Sequence, residues 1–182
     1  MTFPFQPERL DVAAFAQARA SLSARDSLSI YERLTQESIG PTPDMAVDWS
    51  VQGEQRSAAD GVPRPALHLR ARCVVPLACQ RCLGELRVPL EVDRHIVFAR
   101  DEDSAAALDD ASEDDVLALS GELDVRELVE DELLLALPLV PRHDVCPGAV
   151  RLSAQDADFD AAGDERPHPF AGLAALKAGK PH

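Results

Sequence analysis

The sequence predicts an α+β domain, an antiparallel sheet with one principal helix packed on its apolar face. Three patterns point there. Two runs of alternating apolar residues flank a C-x2-C turn, a third alternating run lies upstream, and one well-capped amphipathic stretch follows downstream. The strands fall near 28–34, 45–51, 66–77 and 86–98, and the helix near 124–137. A chain of 182 residues is long enough for one such domain with a sizeable core, assigned to residues 1–150, followed by an acidic flexible tail over 151–182.

Taken in order, Pro7–Ala20 reads as a helix, with Leu10, Ala14 and Ala18 at one spacing and Phe15 beside them. Leu28–Leu34 (LSIYERL) reads as a strand, and Gly40-Pro41-Thr42-Pro43 as a turn. Met45, Val47, Trp49 and Val51 alternate with polar or small residues, a firmer strand pattern. Gln52–Pro65 is polar and interrupted by glycine and proline, so it is expected to be a loop.

The hairpin follows. Leu67, Leu69, Ala71, Cys73 and Val75 alternate into the turn, and Leu86, Val88, Leu90 and Val92 alternate out of it. Pro89 favours an edge position for the outgoing strand, because proline cannot donate to a ladder. The tip, LACQRCLG, carries Cys79 and Cys82. Two thiolates two residues apart can face one ion, and Gly84 is expected to let the backbone turn beneath it.

Residues Asp101–Asp115 hold eight acids and no base, the composition of a solvated mobile loop, or of a lure for a basic partner. In GELDVRELVEDELLLALP, Asp124 is placed as N-cap with Glu127 three residues on, and Leu123 and Leu128 sit at the staple positions. Leu128, Val129, Leu133, Ala136 and Leu137 form the inward face, Leu134 and Leu135 widen it into an almost fully buried end, and Pro138 stops the helix. Its carboxylates read as capping and solubility, not as acid/base chemistry. In the tail, Phe170, Leu173 and Leu176 make a short amphipathic turn that could dock on the domain or on a partner.

Charge restricts the function classes. With 32 Asp and Glu against 18 Lys and Arg, the net charge is -14, which opposes a whole-surface affinity for nucleic acid or anionic membrane and suits basic partners. No apolar run is long enough to span a bilayer and the first residues do not read as a signal peptide, so a soluble cytoplasmic protein is expected. Between Arg64 and Arg100 the balance reverses, with seven arginines against three acids. His68, Arg70 and Arg72 fall on the strand face opposite Leu67, Leu69 and Ala71. Arg70 and Arg72, with Arg81, Arg87 and Arg94, form a candidate RNA-phosphate-binding set, and an ordinary solvated sheet face is the competing reading, since no aromatic residues interleave for base stacking.

After the helix comes PLVPRHDVCPG. His143 and Cys146 are two residues apart and precede Pro147-Gly148, so Cys79, Cys82, His143 and Cys146 would make a Cys3His set suited to zinc, with Zn–S near about 2.3 Å. The 60 residues between Cys82 and His143 leave open whether the halves meet. A redox C-x2-C and plain unmetallated thiols are the alternatives, the redox reading disfavoured between antiparallel strands. Cys73, on the apolar face, is expected to behave as a small hydrophobe. No catalytic motif is present.

LACQRCLGEL, the run GELDVRELVEDELLLALPLVPRHDVC and the terminal HPFAGLAALK, in this order, resemble the YceD-like family, the large ribosomal RNA subunit accumulation proteins of bacteria. The resemblance implies a non-enzymatic role in the synthesis, processing or stability of 23S ribosomal RNA. It maps the family's C-x2-C onto Cys79 and Cys82; some branches look as though they carry a second cysteine pair near LPLVPRHDVCPG, where this chain has His143 and Cys146. Three hypotheses follow: a factor touching ribosomal RNA through the arginines, an acidic escort for a basic ribosomal protein, and a thiol enzyme at Cys79 and Cys82. A zinc-stabilised interaction module is a further alternative.

Overall fold

Among the described residues five strands form one sheet in sequence order, antiparallel from the first to the fourth and parallel between the last two. The computed structural model describes residues 5–40, 44–57, 60–112, 114–119 and 121–148. Its elements are α1 (Val12–Ala18), β1 (Ser21–Ser27), a 3-10 turn (Leu28–Ile30), α2 (Glu32–Glu37), β2 (Ala46–Ser57), β3 (Pro63–Ala78), β4 (Glu85–Ala99), α3 (Glu102–Asp109), β5 (Asp115–Ala118) and α4 (Val125–Leu135). The fold is therefore α+β, as expected. The tail expected over 151–182, with Phe170, Leu173 and Leu176, lies outside the described residues, as do Pro41–Pro43 of the expected turn.

One sheet face carries the main core. Leu67, Leu69, Ala71, Cys73, Val75 and Leu77 of β3 and Leu90, Val92 and Ile96 of β4 alternate inward, and Phe15, Leu28, Leu34, Leu128, Val129 and Leu133 cover them from the helices and the 3-10 turn. Cys73 is buried there as a small hydrophobe, and burial pushes its thiol up to about 11. A carboxylate is held at the margin: Asp26 accepts hydrogen bonds from Trp49 Nε1 at 2.8 Å, Tyr31 Oη at 3.1 Å and Arg126 Nε at 3.2 Å. On the opposite face a smaller cluster joins Ala66, Val97 and Ala99 to Ala105 of α3 and Val116 of β5.

Several elements differ from the sequence reading. Leu28–Leu34 is not a strand; it is the 3-10 turn followed by α2. Its helix start has no side-chain cap of its own, and Glu130 of α4 supplies one: Oε1 accepts the backbone N–H of Arg33 at 2.8 Å and of Leu34 at 3.1 Å. Gln52–Pro65 is not a loop, because β2 and β3 pair from Asp48↔Arg72 through Ser57↔Pro63. Gly53 belongs to that strand and not to a turn. A Cβ there would lie 2.5 Å from Phe15 O and 2.9 Å from Ala16 Cα, so its missing side chain lets α1 seat against β2.

The acidic stretch also folds. Asp101 caps α3 by accepting the Ser104 N–H at 2.9 Å, and the alanine side of that helix closes the small cluster. Predicted Pro7–Ala20 shortens to α1, which ends where Arg19 takes a left-handed φ of 48°. In α4, Asp124 caps as expected, accepting from Arg126 N at 2.8 Å and Glu127 N at 3.2 Å. Leu135, expected to be buried, is exposed. Pro89 lies in the part of β4 beyond the pairing with β5, which covers only Ile96–Ala99, so its missing donor interrupts no β4–β5 bond.

Candidate metal centre and sheet face

The β3–β4 ladder runs without a break to Ala78↔Glu85 and delivers the C-x2-C to its tip. The turn closes with Leu83 N–H donating to Cys79 O at 2.8 Å and Cys79 N–H donating to Gly84 O at 2.9 Å. The residue that takes the left-handed conformation is Leu83, with φ of 58°, and not Gly84.

The two cysteine-bearing segments meet. Gln80 N–H donates to Pro141 O at 2.8 Å, and the Arg81 guanidinium donates to His143 O at 2.6 Å, Asp144 O at 3.1 Å and Cys146 Sγ at 3.1 Å. Cys79 Sγ then stands 4.0 Å from Cys146 Sγ, and Cys82 Sγ 3.5 Å from His143 Nδ1. All four donor atoms lie within 4.8 Å of one another. Metal–sulfur bonds of about 2.3 Å at tetrahedral angles generate S···S edges of about 3.8 Å and S···N edges of about 3.5 Å, so these spacings fit one ion. The cysteines are free, and none is paired as a disulfide.

Protonation suits ligation as well. His143 Nε2 lies 3.0 Å from Glu85 O; a carbonyl only accepts, so Nε2 carries the proton and Nδ1 presents its lone pair to Cys82. For Cys79, burial acts to raise the thiol, but backbone N–H groups of His143, Arg81 and Cys82 favour the thiolate and bring it down to about 5. At Cys82 the Gly84 N–H likewise favours the thiolate, but burial and the neighbouring sulfurs of Cys79 and Cys146 outweigh it and push its thiol up. These four residues can hold a metal ion.

The arginine set divides. Arg70 and Arg72 project from the outer sheet face, where Arg70 Nε lies 3.2 Å from Asp93 and Arg72 Nε 3.6 Å from Asp48. They line a shallow groove of about 640 Å³ with Asp48, Ser50, Glu91 and Asp93. Arg87, opposite Pro76, shares that face and lies 3.2 Å from Glu85. Arg94 is paired with Leu69 in register and therefore sits on the other face, 4.0 Å from both Asp115 and Glu132. Arg81 spends its guanidinium on the 143–146 segment. Sequence reasoning missed this clasp role, for which a guanidinium inside a C-x2-C is the only local signal.

Among the described residues no helix is long and apolar enough to cross a membrane. Comparison with known proteins supplies the rest. A family model described as large ribosomal RNA subunit accumulation protein YceD matches residues 67–177. A protein of Haemophilus influenzae with the same description is 39% identical over 106 residues, which cover 57% of this chain and 60% of the relative. The alignment thus spans less than two thirds of that relative's length. No solved structure matches significantly. The matched segment contains both halves of the cysteine–histidine cluster, the outer-face arginines and α4, and the chain belongs to the YceD family of large ribosomal RNA subunit accumulation proteins.

Proposed function

We propose that this protein is a non-enzymatic, cytoplasmic factor in large-subunit biogenesis that promotes accumulation of 23S ribosomal RNA through a metal-closed β-hairpin. Zinc is the ion that the Cys3His donor set favours, soft thiolates with one imidazole in a closed site. Cys79, Cys82, His143 and Cys146 would hold it. Bound there, it would supply a structural tie between the hairpin tip and the segment after α4. In the reading favoured here, the outer face carrying Arg70, Arg72 and Arg87 meets RNA phosphates, which would displace Asp93, Asp48 and Glu85 as guanidinium partners.

The observation that carries this reading is the clustering of those three arginines on one face beside a groove, in a chain that is otherwise strongly acidic. The test is crosslinking and sequencing of RNA bound in growing cells, with Arg70→Glu/Arg72→Glu alongside. Crosslinks on 23S precursor that are lost in the variant support it. In vitro, the same variant should weaken binding and flatten the salt dependence by about 0.7 to 0.9 in slope for each phosphate contact removed.

A second reading rests on a different observation: Arg70, Arg72 and Arg87 each stand beside a carboxylate, and the chain carries a net charge of -14. That balance suits an escort for a basic ribosomal protein. Absence of RNA crosslinks with ribosomal proteins still co-purifying would favour it.

A further inference from the structure

We infer a second metal site on the outer sheet face, formed by Glu54, His68 and His95, for a divalent ion of the zinc, nickel, cobalt or copper type. Strand register brings these side chains together. His68 and His95 are direct cross-strand partners on β3 and β4, and Gln52↔His68 places Glu54 two residues along β2 on the same face. The imidazoles stack with centroids 4.0 Å apart and planes 20° from parallel. The three prospective ligand atoms lie within 4.8 Å of one another.

Neighbouring groups fix which ring nitrogens are free to bind. Asp93 Oδ1 lies 2.5 Å from His68 Nε2, and a carboxylate only accepts, so Nε2 bears the proton. In the neutral tautomer its Nδ1 is the nitrogen left to bind an ion, 3.9 Å from Glu54 Oε1. At His95 the informative neighbour is Arg56, whose Nη1 is 3.3 Å from Nδ1. Arginine only donates, so this Nδ1 is an acceptor too, and it lies 3.4 Å from Glu54 Oε2. Both imidazoles therefore aim their Nδ1 atoms towards one carboxylate. Behind His68, Asp93 occupies the outer position of a carboxylate–histidine–metal arrangement.

Glu54 and Asp93 flank the two imidazoles, with Arg56 Nη1 3.9 Å from Glu54 and Arg70 Nε 3.2 Å from Asp93. The Arg56 guanidinium has a second anchor, Asp114 at 2.8 Å, onto which it can withdraw when an ion enters. The side chains of Glu54, His68 and His95 are 27%, 12% and 29% exposed, sheltered yet reachable from solvent. Two imidazole nitrogens and a carboxylate oxygen, with a fourth position left for water or a partner group, select borderline divalent ions over calcium or magnesium.

The test uses the full untagged chain, reduced and metal-free, titrated with cobalt(II). Two ions per chain are expected. One should show thiolate-to-cobalt charge transfer from the cysteine cluster, and the second only the weak visible bands of nitrogen and oxygen ligands. His95→Gln should abolish the second ion while leaving the thiolate band intact, Asp93→Asn should weaken it by about 10- to 100-fold, and Arg56→Gln should tighten it. A single ion of thiolate character in the wild type would overturn the inference. So would a second ion whose affinity is unchanged in both His95→Gln and Glu54→Gln. Because the thiolate band is read separately, loss of zinc at the cysteine cluster cannot be mistaken for failure at the sheet face.

Discussion

Glu130→Ala removes a cap that one helix provides for another. Glu130 is 9% exposed, and its Oε1 accepts both backbone N–H groups at the start of α2, while Oε2 receives Arg33 Nε at 3.0 Å. Losing a helix cap costs about 1 kcal/mol. Leu34 is fully buried, so its N–H is left without a partner and without water, adding about 1–3 kcal/mol. The Arg33 ion pair is half exposed and adds no more than about 1 kcal/mol. The expected destabilisation is about 2–4 kcal/mol, against less than about 1 kcal/mol for Arg33→Ala, which keeps both backbone bonds. Urea unfolding of the two variants beside wild type measures the difference, and hydrogen exchange should show α2 amides opening first in Glu130→Ala. Equal losses in the two variants would mean that the ion pair, not the cap, is what α4 contributes, and the reasoning would fail.

Gly53→Ala should cost about 1–3 kcal/mol, because its Cβ would meet α1 backbone atoms at 2.5–2.9 Å that cannot move without unseating the helix; unchanged urea unfolding would contradict that close packing. Cys73, raised by burial to about 11 from an ordinary 9.0, is stabilised in the fold as the neutral thiol. Its contribution is complete below about pH 9 and lost as pH rises through 11, so Cys73→Val should remove that part of the alkaline destabilisation. Identical alkaline profiles for the two proteins would exclude the effect. Arg81→Ala should weaken zinc retention against a chelator by about 10- to 100-fold, since this side chain positions both His143 and Cys146. Normal retention with lost RNA binding would return Arg81 to the phosphate-contact set.

The β3–β4 hairpin and α4 were legible because their signals are local. Uninterrupted alternation marks Leu67–Val75 and Leu86–Val92, and Asp124 with Pro138 brackets the helix. β1 and the second half of β2 were hidden because their inward positions are Leu22, Ala24 and Asp26, or Gly53, a single large apolar residue among small or polar ones, which leaves no apolar period. Eight acids masked the alanines of α3. α2 depends on an acceptor some 97 residues away, which no window on its own sequence contains. The four candidate metal ligands could be named from residue type and spacing, but their meeting depends on the path of the chain through β4, α3, β5 and α4. Arg94 could have been placed better: it shares parity with Leu90 and Val92, and so belongs to the core side of its strand. The pairing of His68 with His95 required the hairpin register, which composition does not contain.

The joining of Cys79 and Cys82 to His143 and Cys146 has a topological consequence. Everything from β4 through α4 lies between these two points, so an ion held by the four side chains would make a closed ring of chain with the hairpin tip as its buckle. A permanent covalent link closing a ring of about 60 residues would lower the entropy of the unfolded chain by an amount worth about 4 kcal/mol at room temperature. A metal ion would confer a share of that only while bound. On a ribosome, this buckle cannot fasten until Cys146 has left the exit tunnel. By then β4, α3, β5 and α4 have already been synthesised, so metal capture would be a late step that registers the completion of the sheet and its covering helix.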